Sequence, residues 1–205
     1  MLPTPVLEDG IVRLEPLSIA HAPGIAKAAE GDRESYRYAN VPTADTAMVY
    51  IESMLAREES GTFAPFALVL ASTGELVGHT AYLEPRWWPD GRLLAIEVGG
   101  TWLTATAQGT AVNTAAKLLL FRHAFEEWDV ARVDVKTDAR NARARSGITA
   151  VGATFEGVLR SWQPSAVAGE ESLPRDTAMY AITAAEWPER KAALGARLAA
   201  KGGIG

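Results

Sequence analysis

"AQGTAVNTAAKLLLFRHAFEEW", residues 107–128, joins a turn of small residues to the most apolar helical run in the chain. A helix that starts with little side-chain bulk leaves its first unpaired backbone N–H groups open, and its dipole favours negative charge beside them. The turn therefore has the outline of a phosphate site. An ordinary loop followed by an N-cap has the same composition, and this stretch by itself does not choose between the two.

The flanks decide what the helix connects. Before it, "RLLAIEVGGTWL" (92–103) reads as a strand, and after it "ARVDVKT" (131–137) reads as another. Strand, helix and strand in that order form a β-α-β unit, whose two strands are normally parallel neighbours. Further upstream, "FAPFALVLASTGELVGHTAYLEP" (63–85) is two apolar-rich runs split by Ser72, Thr73 and Gly74, a hairpin signal, and "RWWPDG" (86–91) makes the next turn. An antiparallel meander thus gives way to a crossover at the small-residue turn.

The N-terminal third reads as strand, helix, loop, helix. "GIVRLEPL" (10–17) alternates Val12 and Leu14 with Arg13 and Glu15; Ser18 caps a helix whose proper start Pro23 and Gly24 delay. "GDRESYRYANVP" (31–42) is an irregular loop, and a helix runs from about Thr43 to Glu59, ending at Gly61. The C-terminal part predicts a short helix over 141–152, a strand over 153–162, a polar loop over 163–174, a strand over 175–183 and an amphipathic helix over 184–200. The fold class is α/β (α+β), a mixed sheet flanked by helices.

The 205 residues suit one domain, 1–205, and 48% hydrophobic with 22% charged residues is a globular composition. A formal charge of −5 opposes the phosphate backbone of nucleic acid, which is not expected as a partner. The chain has no cysteine, which excludes a disulfide scaffold, a thiolate nucleophile and a cysteine-ligated metal. Any acyl transfer must be direct or pass through oxygen or nitrogen. "MLPTPVLEDG" (1–10) lacks the features of a signal segment, and no run approaches the roughly 20 apolar residues of a membrane span, so a cytoplasmic protein without a membrane partner is expected.

These motifs together resemble the GCN5-related N-acetyltransferases (GNAT), in the branch of ribosomal-protein alanine acetyltransferases and microcin C immunity-type acetyltransferases. That family carries a Q/R-x-x-G-x-G/A pattern at the start of the helix after its fourth strand, aligned here with Gln108, Gly109, Thr110, Ala111, Val112 and Asn113. Asn141, Gly152, Ala153, Glu156 and Gly157 match a second signature, and "EVGGTWL" and "NTAAKLLLFRHAFE" resemble further segments of the branch. The resemblance spans about residues 10–190 and implies the GNAT fold, with a central sheet of about seven strands. Two positions depart from the widest pattern: Ala111 stands where glycine is usual and requires a negative φ, and Ala144 stands where many relatives have a serine. Resemblance therefore supplies no general acid.

The implied reaction is attack of a neutral amine on the thioester carbonyl of acetyl-CoA, with a tetrahedral oxyanion and a thiolate leaving group. The pyrophosphate of the cosubstrate is assigned to the backbone N–H groups of Gly109, Thr110, Ala111, Val112 and Asn113, with Gln108 fixing the turn and Asn141 matching the second cofactor signature. Residues 136–145 hold Lys136, Arg140, Arg143 and Arg145 against Asp138 alone; Arg143 and Arg145 are expected on the remaining phosphate charge, unless this is a solvated helix face.

An alkylamine with a pKa near 10 must lose a proton before it attacks. Glu97, inside the apolar run "LLAIEVGG", is the preferred base, because a carboxylate is costly to bury and desolvation raises its pKa; facing solvent or pairing with an arginine is the competing role. His79 on the neighbouring strand is a candidate base or substrate contact, although a lone strand histidine is commonly structural; His123 and His21 carry no case, and three dispersed histidines give none for a metal. Tyr36 and Tyr38 occupy the loop that in this fold lines the acceptor side. A turn cannot easily bury both Trp87 and Trp88, so at least one is expected in the core and the other is free to stack on an acceptor or line a homodimer surface.

An acetyl-CoA-dependent N-acetyltransferase acting on a small-molecule amine, such as an aminoacyl or peptide-nucleotide compound, is the leading expectation. Its alternatives are a protein N-terminal acetyltransferase of the ribosomal-protein type and a non-catalytic acyl-CoA-binding protein. A doubly wound nucleotide-binding module is disfavoured, because the turn follows a meander and lacks GxGxxG spacing.

Overall fold

Alternating and continuous apolar runs in this chain form one eight-stranded sheet, with helices on both faces. The structure, a computed structural model, describes residue 2, residues 4–31 and residues 33–202. The strands are β1 (Leu7–Glu8), β2 (Val12–Pro16), β3 (Phe63–Leu70), β4 (Leu76–Trp87), β5 (Leu93–Leu103), β6 (Arg132–Asp138), β7 (Thr154–Pro164) and β8 (Pro174–Thr183). The helices are α1 (Ala22–Ala29), α2 (Ala47–Glu59), α3 (Val112–Arg122), α4 (Ala142–Ala150) and α5 (Trp187–Gly202).

Strands β1 to β5 pair antiparallel in chain order, β5 and β6 pair parallel, and β8 lies antiparallel between β6 and β7. The meander and the β5-α3-β6 crossover are those expected. Eight strands replace the expected seven because the two-residue β1 adds a short edge beside β2. The first two long helices each begin later than the sequence suggested. Single 3₁₀ turns, Ile19–His21 and Ala44–Thr46, occupy their entries, and Pro23 sits in the first turn of α1 where its missing N–H is harmless.

Each face has its own core. On one, α3 and α5 cover Phe66, Tyr82, Ile96, Val133 and Ile182, and the Tyr82 hydroxyl donates to the Leu120 carbonyl at 2.7 Å. On the other, α1 and α2 cover Phe63, Ala67, Ala81 and Trp102, and the Trp102 indole N–H donates to the Tyr50 hydroxyl at 3.2 Å. Burying such aromatic bodies while pairing their polar ends avoids the loss that an unpaired group would bring.

One irregularity opens the sheet. Strand β5 pairs with β6 only over Ala95–Glu97, although β5 continues to Leu103 and β6 to Asp138. Beyond Glu97 the two strands diverge, and Gly100 takes φ +60°, a left-handed value that suits glycine. The cleft described next lies in that divergence.

Candidate active site

A cleft of about 780 Å³ runs from the α2 face, between the parted ends of β5 and β6, to the start of α3. Strand alternation decides which side chains enter it. Ile96 and Val98 of β5 and Val133 and Val135 of β6 join the core beneath α3, so Glu97 and Lys136 emerge on the opposite face. There they meet: Lys136 Nζ lies 2.8 Å from Glu97 Oε2, and both side chains are largely buried.

Burial raises the Glu97 pKa, and the Lys136 ammonium opposes that rise without cancelling it. Glu97 Oε1 has no hydrogen-bond partner among the described residues and faces the cleft. Gly99 makes this position available, since a Cβ there would stand 2.8 Å from Oε1. The competing structural role expected for Glu97 was an arginine pair; the partner is a lysine, and it occupies one oxygen.

Behind this pair lies a buried polar cluster. Lys117 of α3 donates to Thr101 Oγ1 at 2.8 Å, and burial pushes its pKa down to about 7, against the pull of Glu97. His79 is fully buried between Tyr50 and Phe63; its Nδ1–H donates to the Gly100 carbonyl at 2.9 Å, which leaves Nε2 an acceptor without a partner among the described residues. Burial lowers its pKa to about 4, so the imidazole is neutral. It lines the cleft, as do Tyr36, packed edge-on against Trp102, and Tyr38, beneath the Arg140 guanidinium.

At the other end the cleft reaches the small-residue turn. Gln108 Nε2 donates to the Leu103 carbonyl at 2.8 Å, tying the turn to the end of β5. Gly109 takes φ +78°, and Ala111 takes φ −70°, which its methyl tolerates. The N–H groups of Ala111, Asn113 and Thr114 make no hydrogen bond to another described residue, as the first turn of a helix requires. Free N–H donors at the positive end of a helix dipole fit a diphosphate. The Val112 N–H is a correction: it is held by Thr110 Oγ1 at 3.3 Å, and the Val112 side chain is in the core.

Other placements also differ from expectation. Arg145 leaves the cleft; it donates to the Tyr180 hydroxyl at 3.1 Å and to the Ala139 carbonyl, and stacks over Phe155. Arg143 lines the cleft, and residues two apart on a helix cannot share a face. Asn141 accepts from the Ala144 N–H at 3.0 Å, an N-cap that starts α4 at the cleft. Arg140 is bound to Asp138 and Glu170. Trp87 and Trp88 lie at the turn between β4 and β5, outside the cleft and about half exposed. The hairpin carries them away from Gly99, because the strands stay paired past Leu83–Glu97, with register shifts, through Arg86–Ala95 and Trp87–Leu93 before turning.

Four cleft cations had no signal in the sequence as read: Arg57 at the end of α2, Arg175 at the start of β8, and Arg197 and Lys201 on α5. Lys201 Nζ donates to the carbonyls of Gly109 and Thr110, at 3.2 and 2.8 Å, and so docks α5 against the turn. Its position next to Gly202 looked like helix end and nothing more. No group of three metal-ligating side chains occurs among the described residues, and no described helix is long and apolar enough to cross a membrane.

Residues 12–154 match the family model described as an acetyltransferase (GNAT) domain. A putative acetyltransferase from T. thermophilus is 33% identical, with a TM-score of 0.80 over 97% of this chain and 100% of that one. A GCN5-related N-acetyltransferase from Brucella melitensis is 25% identical, with a TM-score of 0.79 over 95% and 85% of the two chains. Mycobacterium smegmatis RimJ, solved with CoA-disulfide, shares the fold at 22% identity and a TM-score of 0.74, over 94% of this chain and 93% of that one. No curated protein matches the chain.

Proposed function

This chain belongs to the GCN5-related N-acetyltransferase family and is an acyltransferase, and from that premise we propose direct acetyl transfer from acetyl-CoA to the primary amine of a small molecule, such as an aminoacyl or peptide-nucleotide compound. The observation that carries this reading is the juxtaposition, in one cleft, of a buried carboxylate with a free oxygen and a helix start with free N–H donors.

When bound, the cosubstrate supplies an acetyl thioester as electrophile. The chain has three tasks. The N–H groups of Gly109, Thr110, Ala111 and Asn113 hold the diphosphate, and Arg143, Arg197 and Lys201 supply positive charge around it. Glu97 Oε1 takes the proton of the acceptor ammonium, directly or through water, and its raised pKa brings it closer to that of the amine. Lys136, fixed on Oε2, keeps the carboxylate oriented and ionised between turnovers. The neutral imidazole of His79 and the rings of Tyr36 and Tyr38 line the part of the cleft where the amine is placed.

A protein N-terminus as acceptor has the RimJ likeness in its favour, which reaches the fold alone. The aromatic wall of Tyr36, packed on Trp102, and Tyr38 supports a small acceptor.

Calorimetric titration with acetyl-CoA and with free CoA tests the cofactor half; one site per chain is expected, and no binding would sink the assignment. Glu97→Gln tests the other half. Thiol release on any acetylated amine is expected to fall about 10²- to 10⁴-fold, with acetyl-CoA affinity unchanged. Equal activity of parent and variant across pH 6 to 9, a range chosen around the useful pKa of a base, would remove Glu97 from the mechanism.

A further inference from the structure

Arg175 has no role in what has been described, yet it is buried to 8% exposure on the wall of the cleft. It shares a face of β8 with Thr177, while Ala178, Tyr180 and Ile182 enter the core beneath α3. Arg175 therefore stands on the face of Glu97 and Lys136, the acceptor side. The diphosphate turn and its cations Arg143, Arg197 and Lys201 belong to α3, α4 and α5 on the other face.

Its Nε donates to Thr177 Oγ1 at 3.2 Å, and its two terminal nitrogens have no partner among the described residues. Among those residues, no carboxylate comes within ion-pair distance. Asp138 and Glu97 are near enough for their charge to act on it, but each is held by another cation, Asp138 by Arg140 at 2.8 Å and Glu97 by Lys136 at 2.8 Å. A guanidinium cannot relieve partial desolvation by losing its proton, and its terminal nitrogens, open to the cleft without a partner among the described residues, are left for a cleft ligand to complete. Two free N–H groups in a planar fork match an oxyanion in bidentate fashion.

We propose that the acceptor is a small amine carrying its own carboxylate or phosphate-type oxyanion, and that Arg175 binds this group and so directs the amine to Glu97. This deepens the acetyltransferase reading and rests on it. Arg175 is a substrate-binding residue here, and the anion it holds is part of the acceptor.

The test uses the full chain with acetyl-CoA and matched amines: ω-amino carboxylates from glycine to 5-aminopentanoate, α-amino dicarboxylates, aminoalkylphosphonates, and the corresponding amides and amino alcohols. Thiol release is expected to be at least about 10-fold greater in kcat/KM for an acid than for its neutral partner, and the carboxylate and phosphonate arms identify which oxyanion is used. Arg175→Gln is expected to lose about 30-fold or more on the acid and under about 3-fold on the neutral amine, with acetyl-CoA affinity unchanged; Arg175→Lys, which keeps the charge and loses the fork, falls between. Unchanged acetyl-CoA binding also certifies that each variant is folded.

Equal use of acids and amides by the parent, or an equal loss on both in Arg175→Gln, would overturn the proposal. So would acetylation of an uncharged N-terminal peptide that is indifferent to Arg175→Gln. Binding of acetyl-CoA without acetylation of any acid in the panel overturns the proposal and leaves the cofactor reading intact. Failure to bind acetyl-CoA removes both.

Discussion

Glu97 and Lys117 are two opposite charges placed in apolar surroundings, and burial moves each toward its neutral form. For Lys117 the direction has a consequence for stability. Its pKa is about 7 in the folded chain against an ordinary 10.5, so between those values the unfolded chain holds a proton that the folded chain lacks. Stability from this group therefore rises as pH climbs from about 7 toward 10.5, and below 7 the folded state carries a buried ammonium on Thr101 alone. Lys117→Met is expected to stabilise the protein by about 1–3 kcal/mol at pH 6 and to flatten that rise, read from thermal unfolding at several pH values. A loss of stability at pH 6 would mean that the ammonium is well solvated. Glu97 was legible because a carboxylate interrupts the strand "LLAIEVGG"; Lys117 interrupts "NTAAKLLLF" in the same way, and the identical argument applied to a helix would have found it.

The start of α3 is built by three elements: the end of β5, to which Gln108 ties the turn; α3 itself, which offers the N–H groups; and α5, whose Lys201 caps two carbonyls of the turn. Asn113→Glu places a carboxylate where phosphate charge is proposed, and should weaken acetyl-CoA binding about 10- to 100-fold by calorimetry without altering the melting temperature by more than a few degrees. Unchanged affinity would mean that the turn is not the site. The double variant Arg197→Met with Lys201→Met leaves the buried anchors Trp187 and Leu194 in place, so α5 stays docked; a drop of about 3- to 10-fold in acetyl-CoA affinity is expected from the lost charge. The turn and its helix were readable from "QGTAVN", because helix starts are local in sequence. The contribution of α5 was not, since Lys201 lies some ninety residues from the carbonyls it meets.

Over the molecule as a whole, charge is sorted. The chain carries −5, yet the cleft is lined by seven lysines and arginines and only Glu84 and Glu97 as acids among the described residues. Acetyl-CoA binding should accordingly weaken with salt, by about 10-fold between 50 and 500 mM, because ions screen a partly open cleft. A salt-independent affinity would place the cofactor away from these side chains. Periodicity and spacing were enough to specify the meander, the crossover, the small-residue helix start and the unusual carboxylate on β5. The helix start and the carboxylate are patterns within about a dozen residues, and the meander and crossover are successions of such local patterns, where backbone geometry dictates what neighbours do. Long-range packing assigned the rest. It set where β5 parts from β6, turned Arg145 outward and Arg143 inward, carried Trp87 and Trp88 to the far end of their hairpin, and brought Arg57, Arg175, Arg197 and Lys201 from three separate elements into one cleft. An arginine in a stretch of sequence looks the same whether it meets water or a buried cleft. Its chemistry is fixed by the desolvation and the partners that the folded chain gives it.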